Sequence, residues 1–455
     1  MPKDKQSQMP SLQDLLAGRG DMDEESRRKL EALLRTLSLQ EDDSKNKKDM
    51  ESHRFWRTQP VLKYDEVSDE IGAIEPSVPV DQVKQTPESL PNDFEWCELD
   101  MRDEQDAKEL YDFLTKNYVE DDGGQFRFDY SFEFLRWALQ PPGWRKDWLV
   151  GVRVTSTRRL VAFISAIPVH LRTMDKVTLM TEINFLNVHK RLRSKRLAPV
   201  MIREITRRSH LQGIFQAVYT AGAVLPKPVS TCQYFHRSLN PKKLVECGFS
   251  RVPHNSTMAR MIKNYKVPEK PALEGFRVME AKDVPEVRAL LNKFLARYQF
   301  APEFESDEEI VHWILPHEKV VWSYVVEDPT THKITDMVSF YSLPSTVIGN
   351  PKHSTLNAAY LFYYATDKGL PEQKGGELDE QAQATFGNRL NEVMADALVM
   401  ARKQDFDVFN ALHLMDNHTF LSTQKFGSGD GFLNFYVYNW RCPEVQQEKI
   451  GLVML

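Results

Sequence analysis

Glu182-Ile-Asn-Phe-Leu-Asn-Val-His-Lys-Arg-Leu-Arg-Ser-Lys-Arg-Leu-Ala-Pro199 is the stretch of the sequence that decides the fold. It begins as an apolar strand, passes through a basic turn and opens a helix that runs from Pro199 to about Ser209. Proline suits the first helical turn because its missing N–H has no partner to lose there. The free N–H groups of that turn and the positive end of the helix dipole face Arg193 to Arg196, which predicts an anion site suited to a pyrophosphate.

The basic residues of this turn have an alternative interpretation, as a solvated face or a nucleic-acid patch. Two features favour the anion site. Leu192, Leu197 and Ala198 interrupt the basic run and need burial, and the run stands where a strand meets a helix. The formal net charge of -6 also argues against a general nucleic-acid binder, which needs a broad basic surface. We therefore expect a local anion site and no readout of nucleic acid.

Length and composition bound the class of protein. The chain has 455 residues, too many for one ordinary core, so two domains or lobes are expected. Charged residues make up 27 % and hydrophobic residues 41 %, as in globular proteins, and no apolar run reaches the length of a membrane span. The four cysteines, Cys97, Cys232, Cys247 and Cys442, form no CxxC pair. Their spacing predicts neither a metal site nor a disulfide framework, and it fits a cytoplasmic location.

The chain divides by composition into four segments. Residues 1–52 are polar and are expected to be largely disordered. Residues 53–94 hold five prolines, which predicts an extended arm. Residues 95–265 and 266–455 each read as a half built from strands and helices.

The two halves repeat one order of elements, which indicates an internal duplication. Each starts with a short strand and a helix, continues with three strands, and then has a helix, a strand, a further helix and a final strand. In the first half the predicted helices cover 103–118, 199–209 and 240–248, and the strands cover 96–100, 148–154, 160–167, 181–188, 215–220 and 257–263. In the second half the helices cover 283–298, 388–404 and 417–424, and the strands cover 276–280, 320–327, 334–341, 357–365, 407–412 and 432–440.

This order predicts a mixed α/β fold with two pseudo-symmetric halves that form one continuous, saddle-shaped sheet flanked by helices. Each half resembles the GCN5-related N-acetyltransferase fold, in which a turn with the pattern Arg-x-x-Gly-x-Gly/Ala holds the coenzyme A pyrophosphate. Here Arg193-Ser-Lys-Arg-Leu-Ala198 departs from that pattern, because Arg196 stands at a glycine position. The corresponding turn of the second half, Phe386-Gly-Asn-Arg-Leu390, lacks the basic cluster. We expect one coenzyme A site, in the first half.

Longer motifs make the resemblance more specific. The opening stretch closely resembles the signature of the glycylpeptide N-tetradecanoyltransferases, or N-myristoyltransferases, and so does Lys425-Phe-Gly-Ser-Gly-Asp-Gly431. The resemblance extends from residue 53 to residue 455. Further similar blocks are Arg54-Phe-Trp-Arg-Thr-Gln-Pro60, Phe126-Arg-Phe-Asp-Tyr130, Tyr219-Thr-Ala-Gly-Ala-Val-Leu-Pro-Lys-Pro228, Asp407-Val-Phe-Asn-Ala411 and Gly451-Leu-Val-Met-Leu455.

The resemblance implies transfer of a 14-carbon acyl group from myristoyl-CoA to the N-terminal glycine of proteins. The main-chain N–H groups of Phe185 and Leu186 would form the oxyanion hole, which requires an interruption of the strand ladder, so a β-bulge is expected there. The carboxylate of Leu455 would act as the base. Asn184 and Thr220 would hydrogen-bond the incoming amine.

The resemblance also implies two binding sets and no metal. The acyl-CoA set is Arg54, Phe55, Trp56, Asn187, Val188, Arg193, Ser194, Lys195, Arg196, Leu197 and Ala198. The peptide set is Tyr118, Asp121, Asp122, Phe126, Phe128, Tyr130, His236 and Asp430. The C-terminal half would form much of the peptide groove, and the arm would contribute to the acyl-CoA site.

The expected partners are myristoyl-CoA and proteins or nascent chains that begin Gly-x-x-x-Ser/Thr. The ribosome is a further candidate, and the protein is expected to be a monomer without a permanently bound cofactor. Two alternatives stay open at this point. One is an acetyltransferase-like enzyme that uses a shorter acyl-CoA, and the other is an acyl-CoA-binding protein without catalysis.

Overall fold

The computed structural model describes residues 50–120, 123–370 and 380–455. The chain divides into two compact units, Met1–Arg54 and Phe55–Leu455. Every element given below belongs to the second unit. Asp121 and Asp122, together with most of the segment expected to be disordered, lie outside the described residues.

The helices begin where the sequence supplies side-chain caps. Asp103 accepts main-chain N–H groups of Gln105 and Asp106 at the start of the first helix, and Ser131 caps the second. The α-helices of the described residues are α1 (Glu104–Asn117), α2 (Phe132–Leu139), α3 (Leu197–His210), α4 (Pro241–Glu246), α5 (Met258–Tyr265), α6 (Val284–Leu295), α7 (Asp307–Trp313), α8 (Glu380–Lys403) and α9 (His418–Leu421).

The strands build one large sheet and one small one. They are β1 (Phe94–Glu98), β2 (Phe126–Phe128), β3 (Leu149–Val154), β4 (Leu160–Thr173), β5 (Lys176–Val188), β6 (Ala217–Ala221), β7 (Ser230–Ser238), β8 (Phe276–Val278), β9 (Phe300–Pro302), β10 (Val321–Glu327), β11 (Ile334–Ser342), β12 (Ser345–Val347), β13 (Thr355–Leu356), β14 (Ala358–Thr366), β15 (Val408–Leu412) and β16 (Gly427–Tyr438).

The large sheet has 13 strands in the order β1-β3-β4-β5-β6-β16-β7-β15-β14-β11-β10-β8, with β9 paired to β4. This order mirrors itself when β1, β3, β4, β5, β6 and β7 are matched with β8, β10, β11, β14, β15 and β16. Two pairs are parallel, β5 with β6 and β14 with β15, and they correspond under the same match. The predicted mixed α/β fold with two related halves on one continuous sheet is therefore confirmed.

The final strands of the two halves are exchanged at the centre of this sheet. Strand β16 of the second half pairs with β6 of the first, and β7 of the first half pairs with β15 of the second. Strands β16 and β7 also pair with each other. Three antiparallel ladders at the centre thus involve strands from both halves, so these central strands form one cooperative unit.

One predicted element is wrong. The strand expected at 257–263 is helix α5. Thr257 caps it by accepting the N–H of Arg260, and only Met261 is buried. The apolar residues Met258, Met261 and Ile262 follow i, i+3, i+4 spacing, which is helical, but so short an apolar segment does not distinguish a helical period from a strand period.

The last residues of the chain are fixed on the core. The main-chain N–H of Gly451 donates to the carbonyl of Phe300 at 2.7 Å, and the N–H of Val453 donates to the Tyr363 hydroxyl at 3.2 Å. Leu452, Val453 and Met454 are buried, and Leu455 is half-buried against the same core. Within the described residues, no helix is long and apolar enough to cross a membrane.

Truncating a core ring on an exchanged strand should destabilise the whole second unit. Phe435 on β16 is fully buried, and its ring centroid lies 6.4 Å from that of Phe300. We expect Phe435→Ala to lower the free energy of unfolding by about 3–5 kcal/mol, through lost burial and the cavity left behind. Urea denaturation measures this change in the free energy of unfolding. Val67→Ala, at a side chain 87 % exposed, is the control and should change stability by less than about 0.5 kcal/mol.

A methyl group at residue 451 should loosen the end of the chain. A Cβ there would lie 2.9 Å from both Ala301 Cβ and Tyr298 Cδ2, closer than packed carbons allow. We expect Gly451→Ala to destabilise the tail by about 1–3 kcal/mol and to speed amide hydrogen exchange of Val453. Gly72→Ala, which has no heavy atom within 4 Å, is the control. Unchanged exchange at Val453 in Gly451→Ala would contradict this account of the tail.

Candidate active site

The predicted bulge is present in β5. Phe163 on β4 pairs with Asn187, whereas Ser165 pairs with Asn184, so β5 has one extra residue between these pairs. Phe185 adopts a left-handed backbone with φ of 56°, which is rare for a bulky residue and is sustained by surrounding structure. A bulge interrupts the ladder and re-aims main-chain groups, which is what an oxyanion hole on a strand requires.

Strand β6 ends its contact with β5 at the same point. The two strands pair only from Thr181 with Ala217 to Ile183 with Tyr219. Beyond Ile183, within the described residues, β5 has no ladder partner on the β6 side. Phe185 is buried and Leu186 is 38 % exposed, so the bulge borders a gap in the sheet that is open to solvent. Thr220 follows Tyr219 at the other edge of this gap.

Buried polar groups lie on β5 just before the bulge. The Ser165 hydroxyl donates to the Asn184 carbonyl at 2.9 Å. The Asn184 amide Nδ2 donates to Glu182 Oε1 at 2.7 Å, and both side chains are buried. Burial raises the pKa of Glu182 to about 7, against the opposing effect of the Asn184 hydrogen bond.

An aromatic wall surrounds the Phe185 side chain. Its ring centroid lies 5.1 Å from that of Tyr130 and 6.1 Å from that of Tyr118. Phe128 packs on Tyr130 at 6.1 Å. Burial raises the pKa of Tyr118 to about 12, so its hydroxyl stays protonated. Three side chains of the predicted peptide set therefore meet at the bulge.

A second group of the predicted peptide set gathers around His236 on β7. Its ring packs against Phe249 at 5.2 Å, and Phe249 packs against Phe126 at 5.7 Å. Its Nδ1 lies 2.6 Å from Asn410 Oδ1. Burial lowers the pKa of His236, and the charge of nearby Asp430 opposes that shift.

Strand β2 links the two halves beside these aromatic groups. Phe126 pairs with Val347 and Phe128 pairs with Ser345 of β12, so a first-half segment is held by a second-half strand. The contribution of the second half to a peptide groove stays a prediction.

The basic turn has the form expected of a helix N-terminus. Lys190–Lys195 form a 3₁₀ helix, and Arg196 has φ of 60° immediately before α3. Glycine is favoured in this left-handed region. Arg196, which stands where the acetyltransferase pattern has glycine, therefore holds a strained backbone conformation. Leu197 is buried as expected, and Ala198 packs in the same cluster.

The cations of this turn have different roles. The Arg193 guanidinium donates to the carbonyls of Val188 and Asn117, and Lys190 Nζ lies 2.7 Å from Glu120 Oε1. These two side chains hold the turn in place. Lys195 and Arg196 are exposed, and among the described residues neither side chain makes an ion pair or hydrogen bond. They are exposed cations available to an anion at the start of α3.

The arm places an aromatic stack beside β6. Trp56 stacks on Tyr219 with centroids 5.5 Å apart, and Tyr219 stacks on Tyr436 at 5.0 Å. Phe55 packs edge-on against Trp56 at 5.1 Å. Arg54 belongs to the first compact unit, so its predicted contact with acyl-CoA stays a prediction.

The structure adds residues to which the sequence assigned no role. Glu182 is a charged residue within an apolar strand, a signal that the sequence did contain. Tyr363 and Phe249 carry no such signal, because their contacts join distant parts of the chain. Asn410 lies in the Asp407–Ala411 block, but its contact with His236 comes only from the fold. Within the described residues, no group of three or more His, Cys, Asp or Glu side chains is arranged to hold a metal ion.

Curated relatives match almost the whole chain. Glycylpeptide N-tetradecanoyltransferase 1 of Arabidopsis thaliana is 49 % identical over 408 residues, which cover 89 % of each chain. Glycylpeptide N-tetradecanoyltransferase of Schizosaccharomyces pombe is 49 % identical over 418 residues, covering 90 % of this chain and 88 % of the relative. A Bos taurus relative, glycylpeptide N-tetradecanoyltransferase 2, is also 49 % identical, over 93 % of this chain and 81 % of its own.

Solved structures and family models agree with these relatives. A crystal structure of Saccharomyces cerevisiae N-myristoyltransferase with bound myristoyl-CoA has a TM-score of 0.85 and 44 % identity, covering 89 % of this chain and 95 % of that chain. The N-terminal domain model of myristoyl-CoA:protein N-myristoyltransferase matches residues 73–232, and the C-terminal domain model matches residues 246–453. The chain belongs to the myristoyl-CoA:protein N-myristoyltransferase family of acyltransferases.

Proposed function

We propose that this protein transfers a myristoyl group from myristoyl-CoA to the α-amine of an N-terminal glycine of protein substrates. The observation that carries the proposal is the bulge at Phe185 and Leu186, beside the gap between β5 and β6, in a chain of this family. The amine attacks the thioester carbonyl carbon, an amide bond forms, and the C–S bond breaks to release CoA.

The main-chain N–H groups of Phe185 and Leu186 would stabilise the oxyanion of the tetrahedral intermediate. The left-handed backbone at Phe185 and the end of β6 pairing support this role, since both free the bulge from the ladder. One such donor is typically worth roughly 3–4 kcal/mol of barrier. Because the groups are preorganised in a rigid strand, they need no rearrangement when charge develops.

The base would be the carboxylate of Leu455. A glycine amine has a pKa of about 8 and a terminal carboxylate about 3.5, so proton transfer between them is uphill by about 6 kcal/mol in water. Burial raises the carboxylate pKa and lowers the ammonium pKa, which narrows that gap. The buried Leu452, Val453 and Met454 support a tail held in a dry site. Asn184 and Thr220 would hydrogen-bond the amine at the gap.

Acyl-CoA would bind along the first half. Lys195, Arg196 and the free N–H groups of α3 would hold the phosphates, since a helix N-terminus attracts anions. The remaining members of that set are Arg54, Phe55, Trp56, Asn187, Val188, Arg193, Ser194, Leu197 and Ala198. Burying an acyl chain is worth about 0.8 kcal/mol per CH₂, so an apolar channel of fixed depth would select chain length.

The peptide would enter past the two aromatic groups. Tyr118, Phe126, Phe128, Tyr130 and His236 would line the groove. Asp430, with Asp121 and Asp122, would favour a basic residue downstream of the glycine. We therefore expect substrates whose sequence begins Gly-x-x-x-Ser/Thr. Contact with the ribosome, a monomeric state and a cytoplasmic location stay predictions.

A mass-spectrometric transfer assay tests the activity. Purified protein is incubated with acetyl-, decanoyl-, myristoyl- and palmitoyl-CoA and with a matched pair of peptides, Gly-x-x-x-Ser and Ala-x-x-x-Ser. We expect rapid transfer from myristoyl-CoA to the glycine peptide alone, because a Cβ would clash at the substrate terminus. A preference for acetyl-CoA would favour the shorter-acyl alternative. Acyl-CoA binding without transfer would favour the non-catalytic one.

Extending the chain beyond Leu455 tests the base. A Gly-Ser extension moves the carboxylate away, so we expect kcat to fall by about 100-fold or more, the usual size of a general-base effect. The Kd for myristoyl-CoA should stay within about twofold of the unextended protein, since the phosphate site is in the first half. The same dipeptide added before Met1 is the control. Normal turnover of the extended protein would exclude Leu455 as the base.

A further inference from the structure

Glu182 is a buried carboxylate that has no cationic partner among the residues the structure describes. It is 7 % exposed, and its only hydrogen-bond partner among the described side chains is the Asn184 amide, at 2.7 Å. No Lys, Arg or His of the described residues forms an ion pair with it. A buried, unpaired charge is unfavourable unless the site supplies a partner at some stage.

The elements around Glu182 do not supply that partner. On β4 it pairs with Ile167, and on β6 with Val218, both apolar. From β14 the Tyr363 hydroxyl lies within electrostatic range of the carboxylate, and that hydroxyl also contacts the main chain of Val453. A glutamine at 182 would accept the Asn184 hydrogen bond equally well without burying a charge. The negative charge is therefore expected to serve a purpose beyond holding Asn184.

We propose that Glu182 is a positioning residue for the substrate amine. Its carboxylate orients the Asn184 amide so that Oδ1 faces the gap between β5 and β6, and its charge complements the glycine ammonium that enters there. This inference rests on the proposed function, because the ammonium is that of the N-terminal glycine. Removal of the amine proton is left to the proposed base at the end of the chain.

Two properties of the site agree with this role. The amide Nδ2 of Asn184 donates to Glu182, which fixes the side-chain orientation, and Oδ1 is the acceptor that this amide offers to the amine. Glu182, Asn184 and Thr220 also lie next to the end of the β5–β6 ladder, where the gap begins. The incoming cation would supply the missing partner of the carboxylate.

Glu182→Gln removes the charge and keeps the hydrogen-bond acceptor. We expect kcat/KM for the glycine peptide to fall about tenfold or more near pH 7.5, mainly because KM for the peptide rises. A fall of this size corresponds to the loss of one hydrogen bond to a charged group. The Kd for myristoyl-CoA, measured by calorimetry, should be unchanged. This binding also shows that the variant is folded.

The pH profile separates charge from structure. Burial raises the pKa of Glu182 to about 7, so the carboxylate is largely protonated at pH 6. The glycine amine has a pKa of about 8 and is largely neutral at pH 9.5. The ratio of wild-type to variant kcat/KM should therefore be greatest near pH 7.5 and smaller at both extremes. Tyr363 and the Leu455 carboxylate are present in both proteins, so the two proteins differ only in the side chain at residue 182.

Asp396→Asn is the matched control. Asp396 is a buried carboxylate on α8 that accepts main-chain N–H groups of Ala272 and Leu273, so its loss should lower stability and leave the pH profile unchanged. The inference would be overturned if the ratio of wild-type to Glu182→Gln kcat/KM were constant across the pH range, or if the variant had the kinetics of wild type. In either case, transfer by the wild-type protein would still uphold the proposed function. If wild type itself transfers nothing, the proposed function fails instead.

A second variant covers the case in which Glu182→Gln binds no acyl-CoA. Glu182→Asp keeps the charge and shortens the side chain, so it loses reach to Asn184 Nδ2. We expect a higher KM for the peptide with a pH profile parallel to that of wild type. An unchanged KM for the peptide would overturn the inference.

Discussion

The interruption of the β5 ladder is the constraint on which the site depends. A strand inside a large sheet normally uses its main-chain N–H groups in pairing. Here an extra residue at Phe185 and the early end of β6 pairing interrupt that pattern in one place. The surrounding core holds the strained backbone, since Tyr118 and Tyr130 pack directly on the Phe185 ring. A main-chain device of this kind leaves the side chains free for packing.

The exchange of final strands explains how remote segments reach that interruption. With β16 beside β6 and β7 beside β15, the large core cluster includes residues of both halves. The end of the chain lies on this shared core, tied by Gly451 to Phe300 and by Val453 to Tyr363. A duplicated fold without the exchange would keep each terminal strand with its own half. The tail and the bulge belong to one cooperative structure for this reason.

Much of the fold and part of the site could be predicted from local patterns. The strand, basic turn and helix of the opening stretch are adjacent in sequence, and their pattern and proline placement predicted the anion site. The bulge was expected only from the resemblance to the family. Helix α5 was missed because a short apolar segment does not distinguish the two periods. The sequence also did not predict which cations of the basic turn hold the structure and which face solvent. The Arg193 guanidinium donates to the carbonyl of Asn117, a residue 76 positions away.

The sequence by itself determined the family, the order of elements and the chemical groups offered by each motif, because these depend on residues within a few positions of one another. Only the tertiary structure decided which groups meet. It paired Tyr363 with Val453, 90 residues apart, and it left the buried Glu182 without an ion-pair partner in the described parts of the chain. Burial and electrostatic partners come from strands brought together by long-range pairing, and no local pattern encodes the absence of a partner. That absence is what points to the substrate amine.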